Sequence, residues 1–274
     1  LLGLTIRPSS QISLIADGSD AEAALTALVD ELVRLNVDVL LTSATPATIA
    51  AKNATKTIPI VFIQLAVDPV TAGFVDSLTR PGGNITGLTN IAAELASKRL
   101  EILKETVPKL SRVALMWEPK NAGSAQTWKE SQLPARELGL QLHSMEVSDA
   151  DKYESAFQEA TKAHSAALAV TLHALANSNQ KKIADLAINN GLPSICARAD
   201  YSENGCMMAY GPGYGIEGKD GARYVDKILK GAKPADIPVE QPMKFELVIN
   251  LQTANKLGLT IPQSVLFQAD KIIQ

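Results

Sequence analysis

The sequence predicts an α/β fold with parallel sheets, divided into two lobes of similar design. Short apolar runs, such as residues 37–41 and 59–63, alternate with longer amphipathic stretches, which is typical of strands that alternate with helices. The runs are continuously apolar, as expected for strands buried on both faces of a parallel sheet. A break at Pro108 separates two similar series of these units, and the second series begins at Arg112.

The first apolar run leads directly into a helix start. Thr45 is a good N-cap, and Pro46 suits a first helical turn because it has no N–H to leave unpaired. We therefore expect a helix over residues 47–56. Polar residues gather at this strand end, and in an open α/β sheet ligands bind at the edge where strands end and helices begin.

The other elements follow the same pattern in chain order. The predicted strands cover 11–15, 85–89, 112–117, 140–147, 166–172, 192–196, 207–210 and 245–250. The predicted helices cover 21–35, 94–107, 180–190, 216–230 and 251–257, with two more that end at Leu138 and His164 and a short terminal helix after Pro262.

Composition limits the classes of function. The 274 residues are 46% hydrophobic, enough for two packed lobes, and the net charge is −3. No stretch holds five or six like charges, so a nucleic-acid or anionic-membrane surface has little support. No apolar run approaches the ~20 residues of a membrane span. No phosphate loop, dinucleotide fingerprint, zinc spacing or nucleophile elbow is present, which argues against a cofactor or a metal site.

The two cysteines do not decide the compartment. Cys196 and Cys206 are ten residues apart and have no metal-ligand companions nearby. Buried thiols are favoured, and a disulfide is the other interpretation. The chain opens with Leu1 rather than Met, which favours a processed, trimmed or partial N-terminus without a visible signal peptide.

Several segments together resemble a known family. They are TPATIAAKNATKTIPIVF, DPVTAGFVDSLTRPGGNITGLT, SKRLEILKETVPKLSRVALMW, MAYGP and YVDKILKGAKPADIPVEQPMKFELVINLQTANKLGLTIPQSVL. From about Gln11 to its end, the chain is similar to ABC transporter substrate-binding proteins, and more closely to periplasmic solute-binding proteins of the tryptophan-binding type. The resemblance implies a type I periplasmic-binding-protein architecture, with two Rossmann-like lobes joined by a hinge of three crossings.

The resemblance also implies limits for the lobes. Lobe one would comprise residues 1–110 and 211–242, and lobe two residues 111–210 and 243–274. Relatives open with a strand and a helix before the segment that matches residues 11–15, so we expect this N-terminal strand–helix unit to be missing.

The candidate ligand-binding residues of lobe one lie where its strands end. They are Thr42, Ser43, Ala44, Thr45, Gln64, Asp68 and Thr89. N–H groups at the helix start after Pro46 could hold a ligand carboxylate, although the same residues could simply cap the helix. Asp68 could pair with a ligand ammonium group or cap the helix that Pro69 starts.

The candidates of lobe two occupy the equivalent places. They are Glu118, Asn121, Ser124, Thr171, His173, Asp200 and Tyr210. His173 is better explained as a polar wall than as a catalytic base, because no nucleophile spacing accompanies it. Tyr210 could stack on a flat ligand, whereas Trp117, inside a strand, is expected in the core.

The resemblance implies an extracytoplasmic or periplasmic solute-binding protein, with a lipid anchor as one option. It would act as a monomer without a cofactor, capture a small carboxylated ligand (an amino acid or an aromatic acid) and deliver it to the membrane permease of an ABC importer. Two other classes stay open. One is a cytoplasmic ligand-sensing domain of a transcription regulator with the same fold, and the other is a two-lobed enzyme.

Overall fold

A computed structural model describes residues 21–65, 67–89, 95–212, 216–241 and 245–274. The strand predicted at 11–15 and the N-terminal unit lie outside these residues. The described strands are β1 Leu40–Ser43, β2 Ile60–Leu65, β3 Ile85–Thr89, β4 Arg112–Trp117, β5 Gln141–Glu146, β6 Ala167–Val170, β7 Ser194–Cys196, β8 Met208–Pro212, β9 Phe245–Asn250 and β10 Lys271–Ile273. The described α-helices are α1 Ala21–Arg34, α2 Ala44–Ala54, α3 Ala96–Thr106, α4 Ala122–Glu137, α5 Tyr153–Lys162, α6 Ala174–Ser178, α7 Gln180–Asn189, α8 Asp200–Glu203, α9 Ile216–Leu229, α10 Leu251–Lys256 and α11 Gln263–Leu266.

The smaller sheet has the order β1-β2-β3, and its strands are all parallel. Its core contains Ile60 and Phe62 on one face, while Val61 packs with Tyr224 of α9 on the other. Apolar side chains on both faces explain why β2 reads as a continuous apolar run. The carboxyl ends of the three strands therefore share one edge.

The larger sheet has the order β10-β9-β8-β7-β6-β4-β5. Strands β4 to β8 are parallel to their neighbours, and β9 runs antiparallel to β8. The terminal strand β10 pairs with β9 in parallel. Strand β10 was not predicted, because its three residues carry too short an apolar pattern to be recognised.

The chain passes between the two sheets three times, from β3 to α3, from β8 to α9, and from Glu240 to β9. Helix α9 returns to the smaller sheet, as predicted, and packs on β2 and β3. We expected α3 in lobe one, since the sequence breaks after it at Pro108. Its side chains Leu100 and Leu103 lie instead in the core of the larger sheet with Leu115. A proline that ends a helix is therefore a poor marker of the point where the chain changes lobes.

The structure corrects the favoured interpretation of the cysteines. Cys196 and Cys206 form a disulfide, with their Cα atoms 6.7 Å apart. Cys196 ends β7, and Cys206 lies two residues before the neighbouring strand β8. Adjacent strands bring the two sulfur atoms together, which residue spacing alone could not reveal.

Candidate functional site

Helix α2 begins one turn earlier than the sequence predicts. It starts at Ala44, its N-cap is Ser43 rather than Thr45, and the Ser43 side chain makes no capping hydrogen bond. Pro46 is the third helical residue, still within the turn whose N–H groups have no partner inside the helix. The first turn of α2 therefore presents backbone N–H groups, with the positive end of the helix dipole, at the carboxyl edge of the smaller sheet.

Thr45 lies in this first turn and is 3% exposed. Its hydroxyl has no hydrogen-bond partner within the part of the chain that the structure describes. Thr42, at the end of β1, differs from it, because the Thr42 hydroxyl lies 3.0 Å from the hydroxyl of Thr48 and joins strand to helix. Burying a hydroxyl without a hydrogen-bond partner destabilises the fold. A ligand could supply the hydrogen bond that the Thr45 hydroxyl lacks.

The other candidates of the smaller sheet are held by bonds within the fold. The Asp68 carboxylate accepts a hydrogen bond from the Thr71 N–H at 2.6 Å, but residues 69–73 form a turn, so the helix predicted to start at Pro69 is not present and Asp68 stabilises a turn instead. The Thr89 hydroxyl donates to the carbonyl of Leu65 at 3.2 Å. Gln64 lies in β2, but its side chain falls outside the description.

In the larger sheet, five of the predicted residues form one cluster at the ends of β4 and β6. The Asn121 side chain caps α4 by accepting from the Ser124 N–H at 2.9 Å. The Ser124 hydroxyl accepts from the Glu118 N–H at 2.8 Å and lies 2.7 Å from the Thr171 hydroxyl. His173 Nδ1 lies 3.3 Å from a Glu118 carboxylate oxygen. Residues separated in sequence thus meet because β4 and β6 are neighbouring parallel strands.

The Nδ1 atom of His173 has two neighbours, an amide that can only donate to it and a carboxylate that could only accept from it. It lies 3.3 Å from the Ala176 N–H, for which it is the cap acceptor, and equally far from the Glu118 carboxylate. The amide always donates, so we assign the tautomer with the proton on Nε2. That Nε2–H is buried and has no partner in the described residues. His173 therefore offers a donor, and Glu118, whose side chain is 20% exposed, keeps a carboxylate that no described lysine or arginine neutralises.

Asp200 and Tyr210 are engaged in other contacts. Arg198 donates to both Asp200 carboxylate oxygens, at 2.6 and 2.8 Å, and Gln180 donates to one of them at 2.8 Å. Burial raises the pKa of Asp200, but the hydrogen bonds from Arg198 and Gln180 outweigh it and hold the pKa below its usual value. The Tyr210 ring lies 6.3 Å from the ring of Phe245, centroid to centroid.

Sequence reasoning missed the residues that support the site. Arg99, Arg198 and Phe245 were not among the candidates, and each contacts one of the predicted residues directly or through its backbone. An arginine in an amphipathic helix, such as Arg99, is normally expected to be exposed to solvent. The Asp200–Arg198 spacing of two residues was the one signal that could have indicated an internal ion pair.

The described residues contain no group of three or more His, Cys, Asp or Glu side chains that could hold a metal ion. Among the same residues, no helix combines the length and the apolar character needed to cross a bilayer. The candidate site consists instead of hydrogen-bond donors, one carboxylate and a pair of aromatic rings.

Comparison with known proteins finds relatives over most of the chain. A tyrosine-binding protein of Clostridioides difficile (strain R20291) is 26% identical over 222 residues, which are 81% of this chain and 63% of the relative. The chain thus spans less than two thirds of the length of this curated relative.

Two solved structures share the fold over a larger part of both chains. A conserved domain protein from Vibrio cholerae O1 biovar El Tor is 30% identical with a TM-score of 0.86, covering 92% of this chain and 83% of that one. An ABC domain from a Streptococcus pneumoniae protein, in complex with L-Trp, is 25% identical with a TM-score of 0.83, covering 92% and 84%. The predicted type I periplasmic-binding-protein fold is confirmed. The family model for "ABC transporter substrate binding protein" matches residues 11–273, and the chain therefore belongs to that family.

Proposed function

We propose that this protein captures an aromatic α-amino acid between its two lobes and delivers it to the permease of an ABC importer. The observation that carries the proposal is that each lobe offers a group of opposite polarity, one suited to an anion and the other to a cation. The smaller sheet offers a helix N-terminus beside the partnerless Thr45 hydroxyl, and the larger sheet offers the Glu118 carboxylate. These are the groups that a ligand carboxylate and a ligand ammonium need.

The carboxylate of the ligand binds at α2. Backbone N–H groups of Ala44 and Thr45 point out of the first turn, and the dipole of the 11-residue helix favours a negative charge there. The Thr45 hydroxyl supplies a further donor. Because it is buried, its hydrogen bond forms in a site from which water is excluded, which strengthens it.

The ammonium group of the ligand binds at Glu118. The backbone of Glu118 is fixed through its N–H bond to Ser124, and the imidazole beside its carboxylate is neutral in the tautomer assigned above. The carboxylate therefore keeps its full charge for a cation. The His173 Nε2–H is a second donor for a ligand acceptor in the same lobe.

The side chain of the ligand lies against the aromatic pair. Tyr210 and Phe245 are both partly exposed, and their rings meet at 44° near the second and third passages between the sheets. An aromatic side chain stacks favourably on such rings. The relatives named above as tyrosine-binding and as a complex with L-Trp support this class of ligand.

Closure of two lobes holds the ligand without altering it, so the protein acts as a carrier and not as an enzyme. With α3 reassigned, the described residues 21–65, 67–89 and 216–241 belong to lobe one, and residues 95–212 and 245–274 belong to lobe two. The protein works as a monomer outside the cytoplasm, where the permease meets the closed form. The disulfide between Cys196 and Cys206 supports that location, because such bonds persist in oxidising compartments.

A ligand series tests the proposal by thermal shift and calorimetry. L-Trp, L-Tyr and L-Phe are compared with tryptamine, which lacks the carboxylate, and with indole-3-propionate, which lacks the ammonium group. We expect at least one of the amino acids to raise the melting temperature as a bound ligand does. We expect both analogues to bind at least about 100-fold more weakly, since each leaves one charged end unpaired. Equal binding of tryptamine, or no response to any amino acid, would contradict the proposal.

A further inference from the structure

Arg99 is a buried arginine at the first passage between the sheets. It lies in the first turn of α3, directly after the residues that connect β3 to this helix, and is 4% exposed. Burial lowers the pKa of Arg99 to about 10, so the guanidinium still carries its charge at neutral pH. A buried charge is expensive unless its hydrogen bonds are made.

Two carbonyl groups receive hydrogen bonds from Arg99. Its Nε–H donates to the carbonyl of Tyr210 at 2.7 Å, and one terminal nitrogen donates to the carbonyl of Ala197 at 3.4 Å. Tyr210 belongs to β8, from which the chain makes its second passage toward α9. One side chain therefore fastens the end of the first passage to the start of the second.

The backbone around this contact is tightly packed. A Cβ atom on Gly211 would lie 2.0 Å from the carbonyl oxygen of Ala197, the same carbonyl that Arg99 binds. No residue with a side chain can replace Gly211 without displacing this backbone. Arg99 thus binds the carboxyl ends of β7 and β8, whose backbones are too closely packed to shift against each other.

The third passage reaches the same cluster. Phe245 is the first residue of β9 after that passage, it pairs with Pro212 in the antiparallel ladder, and its ring contacts the ring of Tyr210. Tyr210, whose carbonyl Arg99 holds, therefore contacts the third passage through its ring. The described larger-lobe ends of the three connections therefore share one set of contacts, made by Arg99, Tyr210 and Phe245.

We propose that Arg99 is the positioning residue of the hinge, which fixes the larger-lobe ends of the three passages relative to one another so that ligand binding closes the lobes along a single path. The inference rests on the proposed function only in that a ligand drives this closure. Lysine cannot replace arginine here, because a single ammonium group lacks the planar fork that reaches two carbonyls at once.

The test compares Arg99→Lys with the wild type by fluorescence energy transfer between two dyes. The dyes are attached at Thr57→Cys in the smaller lobe and at Lys129→Cys in the larger lobe, which are both exposed positions. L-Trp is the probe ligand. We expect the variant without ligand to show a broader distance distribution than the wild type. We expect L-Trp to bind about 10-fold more weakly, because a smaller fraction of the protein is competent to close.

The matched control is Thr106→Val on the same helix. The buried Thr106 hydroxyl donates to the carbonyl of Ile102 at 2.7 Å and lies 3.4 Å from Met208 Sδ at the start of β8, so its loss removes buried polar contacts at the end of α3 remote from Arg99. We expect this variant to lose stability while keeping the wild-type distance distribution. If Arg99→Lys behaves like the control, Arg99 is only a core residue and the proposal is wrong.

Two further outcomes are informative. If Arg99→Lys does not fold, Arg99→Gln takes its place, and failure of both variants to fold would also overturn the proposal. If the wild type does not bind L-Trp or any amino acid, the proposed function fails. The distance distribution without ligand still decides the role of Arg99 in that case.

Discussion

The two halves of the candidate site differ in how their helix N-termini are capped. In the larger sheet, helix N-termini are capped by side chains of the site itself, Asn121 for α4 and His173 for α6. In the smaller sheet, the N-cap Ser43 of α2 makes no side-chain cap. One half is therefore organised in advance by side-chain hydrogen bonds, and the other leaves backbone donors available. A zwitterionic ligand needs both, a fixed carboxylate for its ammonium group and open N–H groups for its carboxylate.

The largest effect on affinity is expected from the larger sheet, at Glu118. Glu118→Gln keeps the size of the side chain and removes its charge, so the ligand ammonium loses a charge-assisted hydrogen bond worth about 2 kcal/mol, or roughly 30-fold in Kd. Isothermal titration calorimetry with L-Trp measures this change in Kd. Glu146→Gln, which changes an exposed carboxylate on the edge strand β5, is the control and should bind as the wild type does. Equal affinities for the two variants would remove Glu118 from the site.

The same contrast explains which parts could be predicted from sequence. The members of the larger-sheet cluster were predicted, because Glu118, Asn121, Ser124, Thr171 and His173 are polar residues in the two segments that follow apolar strands and lead into helices. The start of α2 was misplaced at Thr45, since Ser43 and Thr45 are both favoured N-cap residues and Pro46 suggested a helix start directly after Thr45.

Pairings between distant residues were not predictable in the same way. Arg99 and the carbonyl of Tyr210 are 111 residues apart in sequence. The disulfide of Cys196 and Cys206 depends on the order of β7 and β8 in the sheet. Both depend on the complete fold, whereas strand ends and helix starts depend on local sequence.

A smaller effect is expected from the smaller sheet, at Thr45. Thr45→Val keeps the branched shape and removes the partnerless hydroxyl, so the ligand loses one hydrogen bond worth about 1 kcal/mol, or roughly 5-fold in Kd. Stability in urea should be unchanged or slightly higher, because the free protein no longer buries an unpaired group.

Thr48→Val on the same helix is the matched control for Thr45→Val. The Thr48 hydroxyl lies 3.0 Å from that of Thr42, so its loss should lower the free energy of unfolding and leave affinity unchanged. A Thr45→Val variant that loses stability but binds L-Trp normally would show that Thr45 belongs to the fold and not to the site.

The smallest effect on affinity is expected at Asp200, the second carboxylate at the edge of the larger sheet. Because Arg198 and Gln180 occupy its oxygens, Asp200→Asn should bind L-Trp within about 2-fold of the wild type but lose about 1–3 kcal/mol of unfolding free energy. The hydrogen bonds from Arg198 and Gln180 hold the folded-state pKa of Asp200 below its usual value, so its contribution to stability is present above that usual value and lost as pH falls through the folded pKa. Urea denaturation from pH 7 to pH 3 should therefore show the gap between variant and wild type narrowing below about pH 4.

The control for Asp200→Asn is Asp185→Asn, which breaks an exposed ion pair with Lys181 and should change neither affinity nor the pH profile. The two carboxylates predicted to bind ligand in the larger lobe then differ clearly, with Glu118 open to a cation and Asp200 neutralised within the fold. An affinity loss in Asp200→Asn as large as that in Glu118→Gln would place both in contact with the ligand. Because Arg198 balances the charge of Asp200, one ammonium group would still match the charge of the larger sheet, and Asp200 would act as a hydrogen-bond acceptor for the ligand rather than as a second unpaired charge.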